Sequence, residues 1–383
     1  MRKAGGLIAD IIRQADLVLL ALCVVTSGFG LVMVASATHY MTSGATRMLL
    51  VQGCAIVLGI GVYFLVSMVD FQAILKHWKW LAVFNVGFFL LLKTPLGYAA
   101  NNNLAWLSIP GFPVKIQPAE IVKLTFIILF AYQLTVQKEK MGLKSFKSVA
   151  LLAGHLLGLI GLYYVISGDM GSALVYAFIF ACMCFTAGVA LRWFVLGGSG
   201  AAIAFYLLWN EDKIPEYMKM RFRVLFDHSL APLDEGWQQT RSLLALGGGR
   251  LLGQGLFQGT QTQSIYDGSL PYRYTDFIFS VIGEELGLVG CLAAVILLCA
   301  IIGRCLTVAM SAKTKLESYI CVGVAGTLIF QMVSNIGMCL YVLPVIGLTL
   351  PFFSYGGSSI VTLFAAMGMV SGIHKRSLPE WLR

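Results

Sequence analysis

The chain has 383 residues, of which 58% are hydrophobic and 12% charged, and its mean hydropathy is +0.82. Soluble domains hold roughly 45–50% apolar residues, so the composition excludes a water-soluble globule. The net charge of +9 follows the placement of Lys and Arg in loops, so it reports membrane orientation and gives no sign of nucleic acid as a partner.

Apolar runs near the roughly 20 residues needed to cross a bilayer recur along the chain. They cover residues 17–37, 49–68, 80–98, 119–135, 148–166, 170–191, 193–209, 276–303, 317–340 and 353–373. The fold class read from them is an all-α polytopic membrane protein of about ten helices. The third run is the weakest, because Lys93 and Pro95 interrupt its outer end. With the N-terminus inside, Arg2, Lys3 and Arg13 share a side with Lys76, Lys79, Lys138–Lys147, Arg192, Arg304–Lys315 and Lys375–Arg383. The short outer segments keep only Arg47, Lys93, Lys115 and Lys123. Both termini are then cytoplasmic and the long 210–275 loop is external. Ala35-Ser36-Ala37 resembles a signal-peptidase site, but the run before it exceeds a usual signal core, so an uncleaved first helix is expected. The nine cysteines lie in or beside apolar runs without CxxC or Cys/His spacing, which indicates neither a zinc site nor a disulfide framework.

Ionisable residues at membrane depth are costly and face a cavity or a partner. Glu120 and Lys123 follow Gln117-Pro118, three apart on one helical face. They read either as a first-turn acid with an i,i+3 salt bridge, or as a lysine held by its acid and aimed at an anionic ligand. Asp169, in a break between two spans, reads first as a helix cap. Thr275-Asp276 opens the eighth run with good N-terminal residue types, yet stands where a long cationic loop meets the bilayer, where a carboxylate can become a general base. Both readings stay open. Of the adjacent Glu284 and Glu285, at least one is expected to bind a cation, a Lys or Arg, or a proton.

The external loop carries Lys213, Lys219, Arg221, Arg223, Arg241, Arg250 and Arg273. Within residues 216–226, Met218, Phe222, Leu225 and Phe226 share a helical face, with Lys219 and Arg223 away from it. That suits a helix lying beside lipid headgroups or packed on the bundle. The glycines at 253, 255 and 259 do not match a dinucleotide fingerprint and no strand precedes them, so tight packing against a phosphate-bearing lipid or the bundle is expected. Residues 343–359 contain Pro344, Gly347, Pro351, Gly356 and Gly357 and cannot form one helix. At membrane depth such a segment is buried or lines a wet cavity, which Ser354, Tyr355, Ser358 and Ser359 would face.

The blocks QPAEIVKL (117–124), GDMGSAL (168–174), LPYRYTDFIFSVIGEELG (270–287) and LPVIGLTLPFFSYGGSS (343–359) resemble the SEDS family of RodA, FtsW and SpoVE. The likeness covers essentially the whole chain, as one integral membrane domain, and the wording of 335–353 leans towards its RodA side. The resemblance implies a peptidoglycan glycosyltransferase of the bacterial cytoplasmic membrane that polymerises lipid II at the outer face. It also implies a class B penicillin-binding protein and other elongasome or divisome membrane proteins as partners. By that likeness Asp276 is the essential aspartate, and Glu120, Lys123, Asp169, Arg221, Arg223, Gln261 and Ser358 are substrate-binding. Mg²⁺ or Mn²⁺ is implied as a cation held by carboxylates and phosphate, with no organic cofactor. The chain departs from the family pattern at Ala105 before Trp106, at Gln254, and at Tyr272 and Tyr274 before Thr275. Lys115, Arg241 and Arg273 are candidates to replace the missing cations. The expected chemistry assigns Asp276 as base, with Lys123, Arg221 and Arg223 on the pyrophosphate side. Two other classes share these features: a lipid-linked sugar flippase, and a non-catalytic scaffold for a penicillin-binding protein.

Overall fold

The computed structural model describes residues 14–41, 43–100, 103–111, 114–227, 230, 236–265 and 269–378, without the side chain of Tyr217. Arg2, Lys3, Arg13 and Arg383, used above for orientation, lie outside the described residues. In chain order the elements begin with α1 (Leu17–Thr38), α2 (Ala45–Ser67), α3 (Phe71–Leu75) and α4 (Trp78–Leu90). A ribbon of β1 (Gly97–Ala100) and β2 (Asn103–Leu107) follows, then α5 (Pro118–Lys140), α6 (Phe146–Ser167), α7 (Met170–Ala187) and α8 (Leu191–Asn210). The long 210–275 loop holds α9 (Glu216–Phe226) and α10 (Trp237–Gly249), and the chain continues with α11 (Ile278–Ser311), α12 (Lys315–Cys339) and α13 (Gly357–Ser377).

Among the described residues, nine helices are long and apolar enough to cross a membrane, and the chain is a multi-pass membrane protein. The third apolar run folds differently from the rest. α4 has 13 residues and passes into a 3₁₀ turn at Leu91–Lys93, a combined rise of about 25 Å that nearly matches the hydrocarbon core. The antiparallel ribbon, pairing Gly97 with Leu107 and Ala100 with Asn103, is a feature the hydropathy pattern does not display.

Small residues let the helices that carry the site approach closely. On α13, a Cβ added at Gly368 or Gly372 would stand 2.6 Å from the carbonyl of Tyr63 or Ser67 on α2. On α12, Gly323 leaves room for Ile127 and Met183. By contrast, α8 buries none of its residues. Asp16, Ser145 and Thr314 cap α1, α6 and α12 with side-chain oxygens on backbone amides.

α11 is interrupted at Gly287, whose backbone (φ 67°, ψ −162°) is not helical. The stretch from Leu288 to Ser311 rises about 36 Å, more than the roughly 30 Å hydrocarbon core. Leu288–Ser311 is thus long enough to span without the short segment before the break, which carries Glu284 and Glu285.

Candidate active site

The turn that carries Asp276 does not begin a helix at Thr275. Tyr272 has a left-handed backbone (φ 46°), and the amides of Thr275 and Phe277 turn back to its carbonyl at 3.1 and 3.2 Å. α11 starts at Ile278 with Phe277 as its cap residue. Asp276 stands before the helix, so the first-turn role its residue type allows is not realised. Its carboxylate takes part in none of the ion pairs among the described residues. The side chain is half-buried. Loss of water pushes its carboxyl pKa from 3.8 up to about 6, against a smaller opposing effect of the Thr275 hydrogen bond.

Three successive carbonyls hold this turn. Tyr274 O accepts from the Tyr355 amide at 2.8 Å, Thr275 O from the Ser354 hydroxyl at 2.6 Å, and Asp276 O from the Asn335 side-chain amide at 2.8 Å. The Asn335 amide also donates to Leu348 O at 2.7 Å, and Ser354 Oγ accepts the Leu350 amide at 2.9 Å. Residues 343–356 thus form an irregular re-entrant segment, with no helix or strand, and several of its backbone groups, among them Val345 O, Leu348 O and the amides of Leu350 and Tyr355, find partners inside the protein. Gln52 on α2 secures its end, donating to Ser354 O and accepting from the Gly356 amide, both at 3.1 Å. Gly347 is left-handed (φ 68°), and a Cβ built there would meet only Asp276 Oδ2, at 3.7 Å. The carboxylate therefore looks across a space kept open by a glycine.

Asp169 lies on the other flank of the same segment. It caps α7 through the Ser172 amide at 3.1 Å and takes the hydroxyls of Ser172 and Tyr163 at 2.6 and 2.9 Å. Gln117, ahead of α5, reaches it at 3.5 Å. A Cβ on Gly171 would stand 2.6 Å from Ile346 O, so the start of α7 packs directly on the re-entrant segment. Glu120 and Lys123 are both buried and form the i,i+3 ion pair at 2.7 Å. They line a small cavity with Val324 and Thr327 of α12 and Thr362 and Met367 of α13. Ser358 is half-buried in the first turn of α13, where its carbonyl accepts from Thr362 Oγ1 at 2.7 Å. The segments carrying Asp276 and Asp169, far apart in sequence, thus both pack on residues 343–359.

Glu284 and Glu285 have a different task. Both are fully buried, and neither pairs with a Lys or Arg among the described residues, contrary to one expectation from the sequence. Glu284 accepts the amides of Gln261 and Thr262 at 2.7 and 2.8 Å and the hydroxyls of Thr260 and Thr262 at 3.0 and 2.6 Å. Glu285 accepts from Ser36 Oγ at 2.6 Å, from Gln263 Nε2 at 2.9 Å and from the Phe257 amide at 3.2 Å. The glycine-rich loop is bound to these acids and to the helix break: a Cβ on Gly253 would stand 2.1 Å from Glu285 O. Gln261 is held in this loop, and no contact among the described residues brings it to Asp276. Gln254 is held there too, its side chain accepting the Thr260 amide at 2.9 Å.

Of the cations expected at the site, Arg221 donates to Val345 O at 3.0 Å, which ties α9 to the segment bordering Asp276. Arg223 faces Glu216 at 2.7 Å and the Trp209 ring. Lys219, placed by the sequence pattern away from the apolar face, is buried and paired with Asp212. Phe226 is instead 91% exposed, so α9 turns part of its apolar face outward. Arg273 is committed to the loop, donating to Gln261 O, Thr262 O, Ser264 O and Ser269 Oγ. Arg241 stacks 4.0 Å from the Trp237 ring, and Lys115 lies 3.3 Å over Tyr98. Among the described residues no three His, Cys, Asp or Glu side chains stand together to hold a metal ion. Asn335 and Gln52 escape a reading centred on charge, although an Asn or Gln inside an apolar helix is itself a signal of a buried polar contact, and Ser354, expected to face a cavity, is instead buried and spends its hydroxyl on Thr275 O.

Fold and site define a polytopic membrane protein in which an aspartate ahead of a spanning helix is held by a re-entrant segment. The family model for the FtsW, RodA and SpoVE proteins, described as "Cell cycle protein", matches residues 16–378, and the chain belongs to this SEDS family. It is 33% identical over 381 residues to a probable peptidoglycan glycosyltransferase FtsW of Geobacter sulfurreducens, covering 97% of this chain and 98% of that protein. It is 34% identical over 314 residues to the FtsW of Coxiella burnetii, covering 77% and 79%. Among solved structures it is similar to the crystal structure of Thermus thermophilus RodA, with a TM-score of 0.67 and 26% identity over 96% of this chain and 98% of that one. It is also similar to a chain from a peptidoglycan synthase complex that coordinates polymerization and crosslinking, with a TM-score of 0.76 and 27% identity over 95% and 98%. The RodA-like wording of residues 335–353 is thus one side of a likeness that reaches both names.

Proposed function

We propose that this chain is a peptidoglycan glycosyltransferase that polymerises lipid II at the outer face of the bacterial cytoplasmic membrane, releasing undecaprenyl pyrophosphate. The observation that carries the reading is the Asp276 carboxylate. It is free of any ion pair among the described residues, turned towards the space beside Gly347, and pushed up to about 6 by desolvation. Asp276 takes the proton of the acceptor sugar hydroxyl as its oxygen bonds to the anomeric carbon of the donor. The bond from that carbon to the lipid pyrophosphate breaks at the same time. Positive charge favours the departing pyrophosphate. Arg221, tied to the segment bordering Asp276, supplies it locally, and Lys123, held by Glu120, and Arg223 add longer-range attraction. Asp169 acts through α7 and the re-entrant segment, Ser358 offers a hydroxyl at the start of α13, and Gln261 acts through its loop. A divalent cation, Mg²⁺ or Mn²⁺, would arrive as counter-ion of the substrate's pyrophosphate, since among the described residues no group of three His, Cys, Asp or Glu side chains could hold it.

The partner we propose is a class B penicillin-binding protein, by likeness to the synthase complex. The flippase alternative drew on paired acids in the membrane; Glu284 and Glu285 are fully occupied by loop amides and hydroxyls, which removes that support. The test is polymerisation of purified lipid II by the complex, its transpeptidase blocked, comparing wild type with Asp276→Ala. Long glycan strands from wild type alone support the reading. Strands from both leave the scaffold reading standing, and strands from neither, with an intact complex and added Mg²⁺, favour the flippase.

A further inference from the structure

Asn335 lies in α12, a helix long and apolar enough to span the membrane, and its side chain is fully buried. A buried amide without partners costs several kcal/mol relative to water. Here both of its donors are used, on carbonyls from two distant pieces of chain: Asp276 O at 2.8 Å and Leu348 O at 2.7 Å. The first carbonyl has no use in α11, because the amides of Ser280 and Val281 both go to Phe277 O. Its other neighbour is the weak donor Cys339 Sγ, at 3.9 Å. Leu348 adjoins Gly347, the residue that borders the Asp276 carboxylate. One amide group therefore sets the spacing between the backbone of the aspartate and the wall of the space it faces.

We propose that Asn335 is a positioning residue for Asp276, holding its backbone against the Leu348 turn so that the carboxylate stays over Gly347. The inference rests on Asp276 acting as the base. Without the amide, Asp276 O has only the thiol, and the 274–276 turn is secured by Tyr355 and Ser354 alone. The carboxylate then drifts towards water. A displacement of about 1 Å costs on the order of 100-fold in rate, and gained hydration returns the carboxyl towards its ordinary acidity.

The experiment measures lipid II polymerisation by the intact complex across pH 4.5–8.5 for wild type, Asn335→Ala, Asn335→Leu and Asp276→Asn. Asn335→Leu fills the same volume without a donor, so it serves where the smaller residue unsettles the helix. Either Asn335 variant is expected to lose roughly 30-fold or more in kcat with KM within about twofold. The acidic limb of its pH profile is expected to move down by about one unit. A merely structural contact would lower the amount of folded complex and leave the limb where it was. Wild-type kcat, or a loss with an unmoved limb, overturns the assignment of Asn335 while Asp276→Asn remains inactive. An active Asp276→Asn overturns the base itself.

Discussion

Arg273 and Glu284 grip the same stretch of chain from opposite sides without touching one another in an ion pair. The guanidinium collects the carbonyls of Gln261, Thr262 and Ser264, and the carboxylate collects the amides of Gln261 and Thr262. Each charge meets the matching end of the peptide dipoles, so the loop stands between two buried groups of opposite sign and satisfies both. Charge-assisted hydrogen bonds of this kind are about twice as strong as neutral ones.

The two residues should therefore be energetically coupled. Glu284→Gln puts N–H groups against amide donors and is expected to cost about 2–3 kcal/mol. Arg273→Met leaves the carbonyls unpaired and is expected to cost a similar amount. The double variant should fall short of the sum by about 1 kcal/mol, because the second change acts on a loop already released. Thermal unfolding of the purified protein measures all three, and simple additivity would show that the loop does not transmit the coupling.

The pH dependence of turnover follows from the acidity of Asp276. Its carboxyl is pushed up to about 6 by burial, and in its proposed role as base it must be ionised. The rate should be half-maximal near that pH, fall tenfold per unit below it, and level off above. Asp276→Asn should lose about 10²–10⁴-fold. A profile that stays flat down to pH 4.5 would assign the proton transfer to another group.

The same shift carries a sign for stability. An acid whose pKa is raised from 3.8 to about 6 in the folded state binds more protons folded than unfolded between those values. Stability therefore falls as pH rises through that window, and the deficit remains above it. Asp276→Asn is expected to stabilise the protein by roughly 1–3 kcal/mol at pH 8 and by almost nothing at pH 3.5. Melting curves at the two pH values check this, and an equal effect at both would mean that the charge is not the cause.

How far the sequence reaches is clear from individual residues. Hydropathy reads ten runs because a bilayer demands long apolar stretches, and among the described residues all but the third, the one interrupted at its outer end, are helices long and apolar enough to span. The prolines and glycines of 343–359 forbid a helix there, and the segment is indeed irregular. The helix cap read at Asp169 is formed, since its oxygens take the Ser172 amide and hydroxyl. What residue types could not show is where α11 starts. Thr275-Asp276 has the residue types of a helix start, but the left-handed Tyr272 and the bonds to Ser354 and Asn335 hold the pair outside the helix. Those partners lie 79 and 59 residues away, beyond any local rule. The partners of Glu284 and Glu285 escaped for a similar reason: backbone amides leave no mark in a sequence.

Gly347→Ala tests whether the space beside Asp276 is needed. The left-handed backbone (φ 68°) makes any side chain costly there, on the order of 1 kcal/mol. The added methyl would lie 3.7 Å from Asp276 Oδ2, where an acceptor hydroxyl must approach. It also strips water from the carboxylate, which raises its pKa further. The expected outcome is a fall in kcat/KM of about 10–100-fold with the acidic limb displaced upwards, opposite in direction to the displacement expected on removing Asn335. A variant that folds, assembles with its partner and polymerises lipid II at the wild-type rate would mean that the acceptor does not approach from the Gly347 side.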